Sequence, residues 1–294
     1  MELRQLATFQ SIAQTGSFTR AAERLGYVQS NVTAHIQALE EELGVVLFDR
    51  LGRQIQLTES GRRLLKYADQ MLALAAEARD AVSDKVSGEV LISAPETLCA
   101  HRLPTLLRRI RNELPQVQVV FRPLPSNELR QHVSNGTIDV ALTLEQPRPS
   151  LGLNVEVMAV EEVVVVAPPD HALTRASVVS PHDIDGELML QTEAGCPYRV
   201  VFEQALQEAG ANPRETIEFS SVEAIKQCVM AGMGLAVLPK VTITRELRSR
   251  ELAILPWQGP SLDMSSQLVW HAKRRTGATL QAFLDLARKT LKRS

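Results

Sequence analysis

The first 57 residues carry a pattern that few folds accommodate, namely three helical segments followed by two short strands. Leu3, Leu6, Phe9 and Ala13 recur at helical spacing, which predicts a first amphipathic helix. Ser17 is placed to cap a second helix that ends at Gly26. A third helix is expected from about Gln29 to Leu43, with a buried stripe of Val32, Ile36, Leu39 and Leu43. Two helices joined by a short glycine-containing turn are typical of a helix-turn-helix.

Polar residues at the start of the third helix are the candidate contacts to DNA bases. Small polar side chains let a helix enter the major groove, where Gln and Asn can hydrogen-bond base edges. Ser and Thr can reach bases or phosphates. An exposed helix residue that contacts nothing is an equally open interpretation of the histidine in this set. The candidates are Gln29, Ser30, Asn31, Thr33 and His35.

A basic segment follows the third helix. Residues 54–57 alternate polar and apolar side chains, which predicts a short strand in a β-wing with Arg50 and Arg53 near its tip. Residues 50–66 contain five basic residues and one acidic residue, whereas the whole chain has a net charge of -2. A solvated basic face is the simpler interpretation. Directly after a helix-turn-helix, contact with DNA phosphates is favoured.

Residues 9–65 resemble the LysR-type transcriptional regulators. The matching features include Gly16-Ser17-Phe18-Thr19, Ala21-Ala22, Gln29 with Val32-Thr33, Leu39-Glu40, Leu43-Gly44, Leu47-Phe48, Arg50, Arg53, and Leu57-Thr58 with Gly61. Weaker similarity covers nearly the whole chain. The resemblance implies a regulator that binds promoter DNA and a small-molecule effector. Val28 stands where the family usually has Ser, and Ala34 and His35 stand where Arg or Gln is frequent, so the DNA sequence read is left open.

A long helix is expected between residues 59 and 87. Thr58 can cap it, and Leu64, Ala68, Met71, Ala75, Ala78 and Val82 step by four and three residues, as in a coiled coil. An amphipathic helix packed on its own domain is the alternative. We favour a dimerisation helix, which the resemblance also implies, because a dimer presents two reading heads to a two-fold DNA site. Tetramers are common in the family, so a homotetramer is expected as well.

Strands and helices alternate from Gly88 to the end of the chain, which predicts a mostly parallel sheet covered by helices. Two such sets predict two α/β lobes, similar to periplasmic solute-binding folds, and the resemblance implies the same. The expected domains are a winged helix-turn-helix at 1–58, a linker helix at 59–87 and an effector domain at 88–294. Lobe I would comprise 88–161 and 267–294, and lobe II 162–266. The chain would cross between lobes near 161–163 and 265–267.

Ligands of such sheets bind beyond the carboxyl ends of the strands, between lobes. Helix N-termini there suit an anion, and an arginine could hold a carboxylate through two hydrogen bonds, so an anionic effector is expected. Simple helix capping is the alternative for each Ser or Thr. The candidate effector residues are Pro95, Glu96, Thr97, Thr143, Cys196, Arg199 and Ser221.

Cys196 supports a second hypothesis. It lies between Gly195 and Pro197 at a predicted helix start, with Arg199 nearby, and these features lower a thiol pKa. A thiol-based redox regulator on the same scaffold is therefore the alternative function, although most lone cysteines are inert packing residues. The three cysteines are far apart in sequence and form neither a metal-ligand pattern nor a disulfide framework, which favours a reducing compartment.

Other classes of protein are disfavoured. The sequence has no H-E-x-x-H, G-x-S-x-G, P-loop or G-x-G-x-x-G motif, so neither catalysis nor a cofactor is expected. The run Val163–Val166 has the length of a strand, and no signal peptide is recognisable. We therefore expect a cytoplasmic protein with promoter DNA, an effector and RNA polymerase as partners. A solute-binding protein or enzyme with an incidental N-terminal domain is the remaining alternative.

Overall fold

The computed structural model describes residues 1–51, 54–81, 86–272 and 277–292, with side chains at all of these except 50, 51, 54, 73, 76, 77 and 79–81. The chain divides into two compact units. One consists mainly of Met1–Lys85, and the other is built from Val86–Ser134, Ile138–Arg274 and Thr279–Ser294.

The N-terminal unit begins with the three predicted helices, α1 (Leu3–Thr15), α2 (Phe18–Leu25) and α3 (Gln29–Leu43). Gly16 and Gly26 end α1 and α2 in the left-handed conformation, with φ of 62° and 68°. The Ser17 side chain caps α2 by accepting a hydrogen bond from the Arg20 backbone N–H. Val28 occupies the N-cap of α3 without a side-chain hydrogen bond, so α3 lacks the hydroxyl cap that a serine would provide.

Three phenylalanines from different elements meet in the core of this unit. The ring centroid of Phe48 lies 5.2 Å from that of Phe9 and 5.9 Å from that of Phe18. Val32, Ile36 and Leu39 of α3 are buried against this core, as predicted. Leu43 is 38% exposed, so the buried face of α3 ends one turn earlier than its period indicated.

A two-stranded antiparallel ribbon and a long helix complete the unit. Strands β1 (Phe48–Leu51) and β2 (Gln54–Leu57) pair with Phe48 opposite Leu57. Helix α4 (Glu59–Ala81) follows, and the Thr58 hydroxyl accepts a hydrogen bond of 2.9 Å from the Gly61 backbone N–H in its first turn. The backbone at Leu47 can approach the start of α4 because residue 61 is glycine; a Cβ at Gly61 would lie 2.3 Å from the Leu47 carbonyl oxygen.

The apolar stripe predicted for α4 divides between two faces. Leu64 and Ala68 pack into the core of their own unit, as the alternative interpretation of the stripe required. The exposed apolar side chains are instead Tyr67 at 61%, Met71 at 39% and Leu74 at 64%. Steps of four and three residues place these three on one helix face. Val82 lies outside the described residues.

The C-terminal unit alternates strands and helices. Its elements before the first change of sheet are β3 (Gly88–Ser93), α5 (Glu96–His101), α6 (Leu103–Glu113), β4 (Val117–Phe121), α7 (Leu129–Ser134), β5 (Val140–Glu145) and β6 (Leu153–Glu161). The second group is β7 (Val163–Ala167), β8 (Leu188–Gln191), α8 (Pro197–Ala209), β9 (Glu215–Glu218), α9 (Val222–Met230), β10 (Leu235–Pro239), α10 (Thr244–Ser249) and β11 (Ala253–Ile254). The last two elements are β12 (Met264–His271) and α11 (Ala278–Leu291).

Each lobe is built on a five-stranded sheet, with order β4-β3-β5-β12-β6 in lobe I and β11-β7-β10-β8-β9 in lobe II. The two-lobed α/β architecture is therefore confirmed. The expectation of mostly parallel sheets was wrong, because β12 runs antiparallel to both β5 and β6, and β7 runs antiparallel to β10 and β11. Among the named strands, β3 and β8 each pair in parallel with both of their neighbours.

The chain crosses between the sheets at two adjacent points. It leaves lobe I after Glu161 and enters β7 at Val163, as predicted. It returns before Met264, earlier than predicted, because β12 already pairs with Glu161 at that residue. Arg102 pairs with Glu161 through two hydrogen bonds, of 2.8 and 2.5 Å, and both side chains are buried. This ion pair fixes the first crossover against the start of α6.

Candidate DNA-binding surface and effector cavity

The start of α3 presents a polar surface. Gln29, Ser30 and Asn31 are exposed, whereas Val32 is completely buried. The Gln29 side-chain oxygen accepts a hydrogen bond of 3.3 Å from Thr19 on α2. Thr33 is half-buried, and its hydroxyl donates to the Gln29 carbonyl oxygen at 3.0 Å. Gln29, Ser30 and Asn31 are therefore the side chains of this set that are open to a ligand, with Thr33 committed to its own helix.

His35 connects α3 to α1. Its Nδ1 atom lies 2.9 Å from the Thr8 hydroxyl oxygen, and that hydroxyl lies 2.8 Å from the Arg4 carbonyl oxygen. Because the hydroxyl hydrogen is donated to Arg4, the Thr8 oxygen accepts from His35 Nδ1–H. The imidazole also stands edge-on to the Tyr27 ring, with centroids 5.5 Å apart. The idea that His35 contacts nothing is thus wrong, and only its Nε2 atom is left for a contact with DNA.

The basic segment is described in part. Arg53 lies outside the described residues, and so does the side chain of Arg50, so their placement at the wing tip stays a prediction. Arg62, Arg63 and Lys66 are exposed in the first two turns of α4. Arg62 donates a hydrogen bond of 2.8 Å to the Leu57 carbonyl oxygen, which ties the helix start to β2.

In the C-terminal unit, loops at the carboxyl ends of strands from both lobes enclose a cavity of about 60 Å³. One water molecule needs roughly 10–15 Å³ on this measure, so the space admits several waters or a small polar molecule. Lobe I contributes Pro95, Glu96, Thr97, Ser126 and Leu144, and lobe II contributes Thr192, Glu193, Cys196, Pro197, Tyr198, Ser220 and Val222.

Four of the seven predicted effector residues line this cavity, namely Pro95, Glu96, Thr97 and Cys196. Thr143 does not, because successive side chains of a strand point to opposite faces and its neighbour Leu144 faces the cavity. Ser221 and Arg199 are also absent from the lining, although Ser221 bonds a residue that belongs to it.

Sequence reasoning missed Ser126, Leu144, Thr192, Glu193, Pro197, Tyr198, Ser220 and Val222 as lining residues. A signal was available for two of them, because Thr192 and Glu193 directly follow β8. The Thr192 side-chain oxygen is buried and lies beside the Cys196 thiol and the Tyr198 hydroxyl. These three polar groups of lobe II therefore meet at the wall of the cavity.

Glu96 links the two lobes across the cavity. Its carboxylate accepts a hydrogen bond of 2.9 Å from the Val222 backbone N–H at the start of α9 and one of 3.4 Å from the Ser221 hydroxyl. Ser221 is also the N-cap of α9. A carboxylate is favoured at a helix N-terminus by the unpaired N–H groups and the helix dipole. The N-terminus of α9 is thus already occupied by an anion from the protein itself.

Arg199 is directed away from an effector. Its guanidinium pairs with Glu203 and Glu218, each at 2.7 Å, and also donates to the Thr192 carbonyl oxygen. Its side chain is committed to these partners within lobe II. The expectation of an anionic effector rested on Arg199 and on free helix N-termini; Arg199 is engaged with other groups, and the N-terminus of α9 already binds Glu96.

The three cysteines have the character of packing residues. Cys196 is buried, and burial raises the pKa of its thiol. Burial, with the charge of Glu96, also raises the pKa of Cys99 from its usual 9.0 to about 11. Cys228 packs in the core of lobe II, as predicted. A raised pKa keeps a thiol protonated and unreactive, which is the opposite of what Arg199 suggested for Cys196.

Within the described ranges, no group of three or more His, Cys, Asp or Glu side chains could hold a metal ion. In that same part of the chain, no helix is long and apolar enough to cross a bilayer.

Two family matches together span almost the whole chain. Residues 3–62 match the family described as bacterial regulatory helix-turn-helix protein, lysR family, and residues 83–292 match the LysR substrate binding domain. The chain belongs to the LysR family of transcriptional regulators. As a LysR-type protein it is a DNA-binding regulator with an effector-binding domain. Membership of a family of regulators agrees with the absence of catalytic motifs from the sequence.

Relatives and solved structures agree with this assignment over their full lengths. The chain is 39% identical to the HTH-type transcriptional regulator YwqM of Bacillus subtilis (strain 168), covering 99% of this chain and 100% of the relative. It is 36% identical to the HTH-type transcriptional regulator YofA of the same organism, and the match covers 97% of this chain and 98% of YofA. A full-length OxyR variant from Pseudomonas aeruginosa has the same LysR fold, with a TM-score of 0.75 at 23% identity, covering 99% and 94%. The structure of full-length CbnR in complex with its target DNA has a TM-score of 0.69 at 24% identity. The match covers 99% of this chain and 100% of CbnR.

Proposed function

We propose that this chain regulates transcription by binding specific promoter sequences as a dimer, under the control of a small molecule in the C-terminal cavity. The observation that carries the proposal is the start of α3, where Gln29, Ser30 and Asn31 are exposed while Val32, one residue on, is fully buried. The rigid core holds one face of the helix, so the polar face is free to enter a major groove.

Base recognition would come mainly from Gln29 and Asn31. Their amide groups can donate and accept hydrogen bonds simultaneously, and each good bidentate contact to a base contributes about 1–3 kcal/mol of discrimination. Arg50, Arg53, Arg62, Arg63 and Lys66 would contact phosphates, which adds affinity without sequence selectivity. His35 would hold the helix in place through Thr8.

A second copy of the chain would cover the exposed stripe of α4. Tyr67, Met71 and Leu74 expose apolar surface on one helix face, and removal of such surface from water favours association. Pairing through α4 would place two recognition helices in a two-fold arrangement. A tetramer, RNA polymerase as a partner and the cytoplasm as the compartment belong to the same proposal.

The cavity would hold the effector. An effector that binds one arrangement of the two lobes more tightly than another shifts the protein toward that arrangement by its difference in affinity. Glu96 is suited to such control, because it bonds the opposite lobe within the cavity. The redox alternative has no supporting observation, since burial raises the pKa of the Cys196 thiol.

Selection of random DNA duplexes on the full-length protein, followed by footprinting of the enriched sequence, tests the proposal. We expect one enriched site with two-fold symmetry and protection of both halves. Asn31→Ala should lose the enrichment, whereas Gln37→Ala, an exposed amide further along α3, should keep it. Protection that is independent of sequence would contradict the proposal.

A further inference from the structure

The imidazole of His35 on α3 is held by a hydroxyl group from the interior of the N-terminal unit. The Thr8 side chain of α1 is completely buried. Its oxygen lies 2.9 Å from His35 Nδ1 and 2.8 Å from the Arg4 carbonyl oxygen. Both distances are those of hydrogen bonds. A buried residue of α1 therefore contacts one nitrogen of a half-buried imidazole on the helix that is proposed to read DNA.

These two contacts determine the tautomer of the neutral imidazole. A carbonyl oxygen can only accept, and a hydroxyl group has a single hydrogen to donate. If that hydrogen pointed to His35 Nδ1, the Thr8 and Arg4 oxygens would lie 2.8 Å apart with no hydrogen between them, and two acceptors repel each other. If it points to Arg4, Nδ1–H donates to Thr8 and all three groups are satisfied. The neutral ring therefore carries its proton on Nδ1, and its Nε2 atom is an acceptor.

The Nε2 atom is the ring nitrogen that is available to a ligand. Among the described residues, none is hydrogen-bonded to it. Tyr27 packs against the ring edge-on, with centroids 5.5 Å apart, and so restricts its orientation. His35 follows Asn31 by four residues, so both side chains lie on the same face of α3. The imidazole thus extends the polar surface that begins at the start of α3.

We infer that His35 accepts a hydrogen bond from the exocyclic amino group of an adenine or cytosine in the major groove, and that Thr8 determines this choice by fixing the tautomer. The inference rests on the proposed function, in that α3 is taken to be the helix that enters the groove. Adenine and cytosine present amino donors there, whereas guanine and thymine present only acceptors. An Nε2 atom without a hydrogen can accept from the former and is repelled by the latter. Thr8 is a positioning residue, because it is too buried to contact DNA.

This contact differs from those expected of Gln29 and Asn31. An amide group donates and accepts, so it can match several patterns of base edges. A neutral imidazole with its proton held on Nδ1 only accepts at Nε2. Every Watson–Crick pair contains one base with an amino group, so the identity of the pair does not reveal the contact. Removal of the amino group itself does.

Base analogues that lack this amino group test the contact on the full-length protein. In the duplex obtained by selection, purine replaces adenine and 2-pyrimidinone replaces cytosine, one position at a time in both half-sites. Dissociation constants are measured at about pH 8, where imidazole groups are generally neutral. We expect one position at which removal of the amino group weakens wild-type binding about tenfold and leaves His35→Ala binding unchanged.

Two variants at position 8 test the role of the buried hydroxyl. Thr8→Val has nearly the same shape without the hydroxyl and should lose the sensitivity to amino-group removal at that position. Thr8→Ser keeps the hydroxyl and should retain the sensitivity. A purely structural role of Thr8 would change the affinity for all duplexes alike and would leave the sensitivity in place.

The tautomer is measured directly on the full-length protein without DNA. Labelling of histidine with ¹³C and ¹⁵N gives different imidazole signals for the two tautomers, and the signals missing from His35→Ala are those of His35. At the same pH we expect the Nδ1–H form in the wild type and in Thr8→Ser, and the Nε2–H form in Thr8→Val. The wild-type result decides the tautomer even if Thr8→Val does not fold.

The Nε2–H form in the wild-type protein would overturn the inference. It would also be overturned by a selected site at which wild type and His35→Ala respond equally to amino-group removal at every position. The absence of any selected site would instead remove the proposed function, and the wild-type tautomer would still test the contact between Thr8 and His35.

Discussion

The carboxylate of Glu96 accepts a hydrogen bond of 2.9 Å from the backbone N–H of Val222. Glu96 is the first residue of α5 in lobe I, and Val222 is the first residue of α9 in lobe II. One side chain therefore lines the cavity, caps a helix of the opposite lobe, and contributes half of the negative charge around the candidate effector site.

Removal of this carboxylate should loosen the C-terminal unit. Glu96→Ala is expected to lower the free energy of unfolding by about 1 kcal/mol, the usual cost of losing a helix cap and its favourable charge. Both tryptophans, Trp257 and Trp270, belong to this unit, so their fluorescence follows its unfolding in urea. Glu208→Ala on the exposed face of α8 should not lower stability. Equal stability of Glu96→Ala and wild type would show that the link contributes nothing.

Gly195 should resist substitution for two separable reasons. Its φ is +86°, and a Cβ would lie 3.2 Å from the Asn127 side-chain nitrogen of lobe I. Gly186 shares the first feature, with φ of +75°, but a Cβ there meets nothing within 4 Å. Each Gly→Ala change should cost about 1–2 kcal/mol from the left-handed backbone.

The difference between these two variants isolates the contact between lobes. Gly195→Ala should cost more than Gly186→Ala in urea unfolding, because only its Cβ meets a side chain of the opposite lobe. Asn127→Ala combined with Gly195→Ala should recover most of the difference, because it removes the atom that the new Cβ meets. Equal losses of stability in the two single variants would mean that the close contact between Asn127 and Gly195 does not restrict the space available to a side chain at position 195.

The exposed stripe on α4 predicts how the chain dimerises. Leu74→Glu places a charge on the proposed interface and should shift the protein toward monomers in analytical ultracentrifugation, since burying an unpaired charge is costly. Gln37→Glu introduces the same charge at an exposed position of α3 in the same unit and should keep the dimer. A Leu74→Glu protein that dimerises as strongly as wild type would rule out this face.

The raised thiol pKa values predict slow chemistry and a pH-dependent stability. With a pKa of about 11, Cys99 should be alkylated by iodoacetamide roughly a hundredfold more slowly in the native state than in urea near pH 8. Cys196 should also react slowly, and peroxide should not change DNA binding. Rapid native-state modification of Cys196, with loss of DNA binding, would revive the redox hypothesis.

The sign of the pH effect follows from the same shifts. Unfolded thiols lose their protons near pH 9, before the folded Cys99 does, so the unfolded state binds fewer protons between about pH 9 and 11. The free energy of unfolding contributed by Cys99 should therefore be present below pH 9 and be lost as the pH rises toward 11. Replacement of Cys99 by Ala should remove this part of the pH dependence.

The spacing of apolar residues predicted the helices and strands well, but it predicted poorly how the strands pair with one another. Val32, Ile36 and Leu39 identified the buried face of α3 because local spacing records which face is apolar. The direction of β12 leaves no such local trace, since a strand with the same residues can pair in either sense. Its antiparallel pairing with β5 and β6 therefore appeared only in the structure.

The cavity was predictable at the level of loops and not at the level of side chains. Thr143 was expected just after its strand, but β5 extends to Glu145 and contains both Thr143 and Leu144, whose side chains point to opposite faces. Arg199 lies near the site in sequence, but its guanidinium forms an ion pair with Glu218, which is nineteen residues away in sequence. Charge partners that are distant in sequence thus removed Arg199 from the expected effector contacts.

The proposed function depends on sequence-selective binding of DNA by α3. The measurement is the ratio of dissociation constants for the selected duplex and for a scrambled duplex of equal length and composition, at physiological salt. We predict a ratio of about 10³ or more, with Asn31→Ala reducing it and phosphate contacts affecting both duplexes equally. A ratio near one, with the same salt dependence for both duplexes, would contradict the claim that the α3 surface reads DNA sequence.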